Sequence, residues 1–360
     1  MKLTELHLEN ITRFEKLDIT FSPGINVIIG ENGIGKTHIL KILYAACRSI
    51  EDGISFPYKL VRVFQPAERG INRLVRRTSG KAYRGIIEIM SDSASISCEI
   101  SIASREYESA RLYGTEKWNA QKDSTSLFIP EKDVLLYTRQ INAATSRNYF
   151  ETDDTQIDLV AAVNQKCRRE GEESVCGALP ERMLQHRVRG ILPGKQRYYL
   201  KTGRKQEMTM VSSAMKKIAV LKTLGMNDSL CKANILFWDA PDVDMDSGSM
   251  EAITDLILDL SRKKKQIFLT TNNCLFARYL EARADEKDVM LYHSIYPNNY
   301  RQRLATASGR KISEMRDTPM EKKFSKILRV ICGLQTDTGY VREEFEDELD
   351  EEEDDGDDQE

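Results

Sequence analysis

The chain has 360 residues, 41% of them hydrophobic, which is enough apolar material for one large core or two smaller ones. No window approaches 18 uncharged apolar residues and Met1–Glu5 opens no long apolar region, so the expectation is a cytoplasmic protein without a signal peptide or a membrane partner. The formal net charge of −3 hides a division: residues 343–360 hold 14 acids and no base, leaving the other 342 residues with 53 bases against 42 acids, a net +11.

A block of like charge cannot bury itself, so residues 343–360 read as a disordered acidic tail on a basic body. The tail is either a solubilising appendage or a competitor for nucleic acid on the body's Lys and Arg groups. Seven cysteines (Cys47, Cys98, Cys167, Cys176, Cys231, Cys274 and Cys332) stand singly with no Cys-x-x-Cys pair, the pattern of reduced thiols without a metal role.

In chain order, Lys2–Glu9 and Lys16–Phe21 alternate as two strands and lead through a Pro23-Gly24 turn into the β-branched run Ile25–Ile29. The segment Gly30-Glu31-Asn32-Gly33-Ile34-Gly35-Lys36-Thr37 follows, and Ile39–Ile50 reads as a helix. Strand, glycine loop and helix are the context a P-loop requires. Glycines let the backbone turn its N–H groups toward a phosphate, the helix adds its positive N-terminus, Lys36 reaches the β- and γ-phosphates, and Thr37 offers a hydroxyl to Mg²⁺. The bland alternative is a glycine turn that happens to fit the spacing. The implied cofactors are ATP and Mg²⁺.

Leu60–Phe64, Gly85–Met90, Ser95–Ile102 and Ala110–Tyr113 read as strands of an antiparallel sheet. Gln65 and Gln140 are both candidates for a glutamine that completes the Mg²⁺ shell, or are ordinary surface residues. Thr155–Arg169 and Leu179–Arg189 supply a short helical pair without a sustained heptad repeat. Arg197–Lys201 and Glu207–Val211 alternate as a hairpin, and the second strand runs into Ser212-Ser213-Ala214-Met215 and a helix. Asn234–Asp239 is a buried-strand run ending in an acid suited to Mg²⁺, followed by Ala240-Pro241. A helix over 248–263, a strand over 266–271 ending in Thr271-Asn272, a last sheet strand over 289–295 and an amphipathic helix over 321–331 complete the chain. None of His7, His38, His186 or His293 has a spacing that suggests a metal or a nucleophile relay; His38 either packs beside the loop or lines the nucleotide.

Leu8-Glu9-Asn10-Ile11, Phe14, Leu17 and the run from Phe21 to Gly33 resemble the opening of SMC/RecF-type ABC ATPases. That resemblance implies contacts of the first strands with the base and ribose of ATP, with Arg13 and Phe14 as candidates. The strand end Ile129-Pro130-Glu131-Lys132-Asp133-Val134-Leu135 together with Gln156-Ile157-Asp158-Leu159 resembles the compact ATP-binding proteins of phage-defence and OLD-like families. It implies head-to-head dimerisation or higher assembly, a signature helix whose Ser212 and Ser213 face the partner's γ-phosphate, and a separately encoded effector, a nuclease or toxin, with nucleic acid as a further possible partner. Ser212 could instead be a simple helix cap. Asp246 would be the acid that crosses the dimer interface.

Three positions depart from that pattern. Relatives carry Glu after the Mg²⁺-binding acid, where this chain has Ala240; they carry His where this chain has Asn272; and Ala214-Met215 replace a glycine and a polar residue. No catalytic residue is therefore assigned, and weak or lost hydrolysis is expected; Asp242 and Asp244 are the nearest acids. The expected fold is α/β, a P-loop NTPase of the ABC head type with a mixed central sheet, an antiparallel β lobe and a short helical insertion. Its parts are an N-terminal lobe with the P-loop (1–140), the helical insertion (141–196), a C-terminal lobe with the signature and Asp239 (197–318), a C-terminal helix (319–342) and the acidic tail (343–360).

Overall fold

The computed structural model describes residues 1–77, 84–121, 124–133, 153–167, 190–193, 198–201, 205–298, 303–315 and 318–331. Met1–Lys322 form one compact unit, and Lys323–Glu360 form a second of which only 323–331 are described. β1 (Leu3–Ile11) and β2 (Phe14–Thr20) pair as a hairpin, and β3 (Ile25–Gly30) leads through the glycine loop into α1 (Lys36–Asp52). After α2 (Phe56–Phe64) come β4 (Arg84–Ser91), β5 (Ser95–Ser101) and β6 (Arg111–Tyr113), which extend the hairpin into a five-stranded antiparallel sheet ordered β2-β1-β4-β5-β6. One face of it is apolar because Leu6, Leu8, Leu17, Ile19, Ile87 and Ile89 alternate with polar residues.

α3 (Thr115–Asn119) precedes β7 (Ser126–Ile129), and α4 (Asp154–Val163) follows it. β8 (Gly190–Pro193), β9 (Tyr198–Lys201) and β10 (Lys205–Glu207) make a small three-stranded sheet. α5 (Ser213–Met226), α6 (Ser229–Lys232), β11 (Ile235–Trp238), α7 (Ser247–Arg262), β12 (Gln266–Thr271), α8 (Cys274–Arg283), β13 (Met290–Asn298), β14 (Arg303–Gly309) and α9 (Pro319–Ile331) complete the described elements. The central sheet is ordered β14-β13-β3-β12-β11-β7, with β14 antiparallel and every other neighbouring pair parallel.

β3, β12, β11 and β7 are buried along their whole length and mostly apolar because both faces are covered. Ile25, Val27, Ile29, Leu236, Trp238, Ile267 and Leu269 face one core with α4, α5, α7 and α8. Ile28, Ile235, Phe237 and Phe268 face the other, with α1, α2 and the antiparallel sheet. Phe237 stacks on Phe268 at 5.1 Å between centroids.

Several expectations need correction. Residues 60–64 belong to helix α2, not a strand: Ser55 caps it through the N–H of Tyr58, Pro57 sits in its first turn, and Phe56, Leu60, Val61 and Val63 bury one face. A five-residue segment with four apolar residues cannot distinguish the two periods. The strand expected over 207–211 stops at Glu207 and becomes a 3₁₀ turn, Met208–Met210. β13 is not the last sheet strand; β14, built from small residues with no apolar run, pairs along it. Cys47, Cys98, Cys167 and Cys274 are free, but Cys231 is disulfide-bonded, contrary to the expectation of thiols throughout. Proximity in space makes that bond, and spacing in sequence does not reveal it. Gln140, the helix expected over 179–189 and the acidic tail lie outside the described residues. No helix among the described residues is long and apolar enough to cross a membrane.

A buried ion network joins the helix after the glycine loop to α4. Lys59 Nζ lies 2.7 Å from Asp52, 2.7 Å from Asp154 and 3.1 Å from Asp158, so an ammonium fills a trio of acids spaced for a cation. Arg62 adds a 2.8 Å bond to Asp154, Tyr44 donates to Asp158 at 2.6 Å, and Lys41, one turn past Thr37, pairs with Asp153 at the start of α4. Lys59 and Asp154 are both held out of water, so each depends on the other.

A second buried polar chain crosses the core side of β3. Asn26 accepts the Ser22 N–H at 2.7 Å, and its Oδ1 lies 3.4 Å from His293 Nε2, while His293 Nδ1 meets Ser308 Oγ at 2.8 Å. Burial pulls the His293 pKa from an ordinary 6.5 to about 4, so the folded state holds the ring neutral. Its contribution is complete above pH 6.5 and is lost as pH falls toward 4. Urea titrations should therefore show stability dropping by roughly 2 kcal/mol between pH 7 and pH 4.5 from this residue, a component absent in His293→Gln.

Candidate functional site

Because β3, β12, β11 and β7 run parallel, the segments that leave their C-terminal ends converge on one edge of the sheet. β3 delivers the glycine loop, β12 delivers Asn272 and Asn273, β11 delivers 239–246, and β7 delivers 130–133. The glycines are required by conformation. Gly33 has φ +78° with nothing within 4 Å of an added Cβ, and Gly35, at the start of α1, has φ +100° with an added Cβ only 2.8 Å from the Phe14 ring.

Lys36 Nζ donates to the loop's own carbonyls, Gly30 O at 2.7 Å and Glu31 O at 2.9 Å, and makes no ion pair among the described residues. Burial lowers its pKa, while the carboxylates of Asp239, Glu131, Asp242 and Glu31 oppose that shift. Thr37 Oγ1 lies 2.9 Å from Asp239 Oδ2 and 3.1 Å from Oδ1. The backbone N–H of Asp239 donates to Ile129 O at 2.9 Å, which anchors the acid to β7. A hydroxyl beside a buried carboxylate is an oxygen donor set suited to Mg²⁺, and a lysine held by carbonyls next to open glycine backbone suits a polyphosphate. The residues present therefore fit Mg²⁺–ATP.

Of the other expected residues, Glu31, Asn32 and Gly33 are exposed at the loop, and Asn32 Oδ1 accepts from Asn272 Nδ2 at 2.8 Å. Arg13 is exposed, with its Cβ 3.7 Å from where a Gly35 Cβ would stand. Phe14 is fully buried beneath Gly35 because its strand faces the core there. His38 sits edge-on to Phe64 at 5.4 Å between centroids, and burial pulls its pKa to about 4. Gln65 caps the end of α2, its amide donating to Arg62 O at 2.9 Å.

Ser212 stands at the N-cap of α5 without a side-chain cap bond, and Ser213 lines a cleft of about 340 Å³ with Glu131, Lys132, Lys216, Lys217 and Asp244. Ala240 holds a left-handed backbone, φ +45°. Asp242 is buried, and burial raises its pKa. Asp244 is the second acid in that turn, with φ +62°. Asp246 caps α7, accepting the Ser249 N–H at 2.8 Å. Sequence reasoning missed Thr270, whose Oγ1 donates to Asp239 Oδ1 at 2.5 Å; the available signal was a threonine inside the buried run Ile267-Phe268-Leu269.

Residues 5–174 match the AAA domain family AAA_23. The DNA replication and repair protein RecF of Limosilactobacillus fermentum is 41% identical over 95 residues, covering 23% of this chain and 26% of that protein. RecF of Bacillus mycoides is 29% identical over 137 residues, covering 38% and 31%. The chain thus spans about a quarter to a third of the length of these relatives. Among solved structures, an Smc head bound to the C-winged helix domain of ScpA matches with TM-score 0.54 and 14% identity over 87% of this chain and 100% of that one. An Smc head with an extended coiled coil, bound to the C-terminal domain of ScpA from Pyrococcus furiosus, gives 0.52 and 15% over 92% and 99%. Residues 5–174 thus resemble an AAA domain, and the fold is that of the P-loop heads of Smc proteins.

The glycine geometry makes a direct test of the loop. Gly35→Ala should lower stability by about 1–3 kcal/mol and weaken ATP binding roughly tenfold or more, read by urea titration and calorimetry. Gly53→Ala, at the far end of α1 with φ +65° and open space, should cost about 1 kcal/mol and leave ATP affinity unchanged.

Proposed function

We propose that the chain is a cytoplasmic ATP-binding subunit of the ABC/SMC type that acts as a nucleotide-dependent dimeric clamp or switch, with weak or lost hydrolysis, and controls a separately encoded effector in phage defence. The observation that carries the reading is the asymmetry of the site. Lys36 lies on the loop's own carbonyls and Thr37 on Asp239, an arrangement that supports binding, whereas position 240 offers a methyl group and the Asn272 amide is bonded to Asn32.

In this reading the loop N–H groups and Lys36 hold the phosphates, and Thr37 and Asp239 hold Mg²⁺. Mg²⁺ when bound neutralises charge on the β- and γ-phosphates. A methyl group cannot orient or deprotonate water, so ATP serves as a ligand that selects the closed dimer, and its effect is bounded by its difference in affinity for closed and open states. Ser212 and Ser213, with the free N-terminus of α5, suit the γ-phosphate held by a second copy. The effector and defence parts rest on the resemblance of residues 126–135 and 156–159 to compact defence ATP-binding proteins. Solved heads of this fold bound to ScpA domains support a docked protein partner.

A second reading, a RecF-like DNA-repair ATPase, is favoured by the RecF matches and the basic body. It predicts DNA binding that weakens with salt and strengthens when residues 343–360 are removed. A third, a constitutively ATP-loaded scaffold, predicts bound ATP with no response to any partner.

The deciding assay measures bound nucleotide and phosphate release in the purified full chain beside Ala240→Glu. The proposal expects copurified ATP and very slow release, with release rising roughly 100-fold in Ala240→Glu. Wild-type turnover near 1 per second, a rate usual for enzymes, would end the claim of lost hydrolysis. Release stimulated by DNA alone would favour the repair reading.

A further inference from the structure

The polar side chain that ties the site together most fully is one the family pattern does not assign. Thr270 is buried on β12, the strand between β3 and β11, and β-sheet register brings it level with Ile28 on one side and next to Asp239 on the other. Its hydroxyl has one proton and two lone pairs. The proton goes to Asp239 Oδ1 at 2.5 Å, and a lone pair accepts the Ala240 N–H at 2.9 Å. One hydroxyl therefore fixes both the rotamer of the metal-binding acid and the backbone of the residue beyond it.

The local backbone makes that second bond consequential. Ala240 adopts φ +45°, a conformation uncommon for a residue with a Cβ, and its N–H donates to the Thr270 side chain on the neighbouring strand rather than to a backbone carbonyl. Asp239 is held from three directions: Thr37 at its carboxylate, Thr270 at Oδ1 and Ile129 O at its N–H. Two of these come from the expected motifs, and Thr270 is the addition. Every residue of this strand is buried, so the Thr270 hydroxyl would be costly to hold there without its bonds.

We propose that Thr270 is the positioning residue of the Mg²⁺-binding carboxylate, so that its hydroxyl sets the dependence of nucleotide binding on Mg²⁺ rather than the affinity for the phosphates themselves. The inference rests on the nucleotide-binding reading above. Groups that orient metal ligands typically govern metal affinity by about 10–100-fold. Lys36 and the glycine loop do not bond to Thr270, so binding of ATP without metal is left to them.

The test titrates MgCl₂ into the full chain at fixed fluorescent ATP analogue, and titrates the same analogue in EDTA, for wild type, Thr270→Val, Thr270→Ala and Thr270→Ser, with circular dichroism on each. Thr270→Val and Thr270→Ala should raise the Mg²⁺ needed for half-saturation by about tenfold or more, change affinity in EDTA by less than about twofold, and Thr270→Ser should return it to wild type. Should Thr270→Val fail to fold, the smaller Thr270→Ala carries the same reading. An unchanged Mg²⁺ requirement in a folded variant overturns the proposal, as does an equal loss with and without metal or a failure of Thr270→Ser to restore it. Absence of binding in the wild type, with or without metal, would instead overturn the nucleotide reading on which it stands.

Discussion

The site depends on one carboxylate, Asp239, held at the point where four parallel strands end. Its backbone is hydrogen-bonded to β7 and its side chain to Thr37 at the start of α1 and Thr270 on β12. That convergence is available only because β3, β12, β11 and β7 share a direction and are buried on both faces, which sets their C-terminal loops side by side. The two cores serve this geometry: one clamps the antiparallel sheet and α1 against the strands, and the other packs α4, α5, α7 and α8 on the opposite face.

The residues suited to a phosphate or a divalent cation are local to the loop, α1 and Asp239. In the turn after β11 Ala240 carries only a methyl group, with Asp242 and Asp244 the acids that follow it, and at the end of β12 Asn272 is bonded to the loop residue Asn32. Lys41 and the Lys59 network extend the reach of α1 to α4, so the loop's helix is mechanically joined to the segment that follows β7.

The P-loop, the Asp239 strand and the mixed central sheet were legible because a residue pattern goes with a period there: closely spaced glycines, a β-branched run, an acid at a strand's end. Short segments were less so. Residues 60–64 of α2 read as a strand because the four apolar residues around Arg62 fit either period, and the helix signal lies upstream in the Ser55 cap. β14 had no apolar run to announce it. Phe14 read as a base contact because its spacing matched the family, yet the pleat of β2 turns it into the core. Thr270 escaped because its significance lies in two bonds to another strand, which no spacing along the chain encodes.

The central claim is that the binding half of the site is intact. Calorimetric titration of ATP into the nucleotide-free full chain, in Mg²⁺ and then in EDTA, tests it most directly. The account predicts saturable binding, one ATP per chain, tighter in Mg²⁺ than in EDTA. No binding at millimolar ATP by a folded protein, or binding indifferent to Mg²⁺, would contradict it.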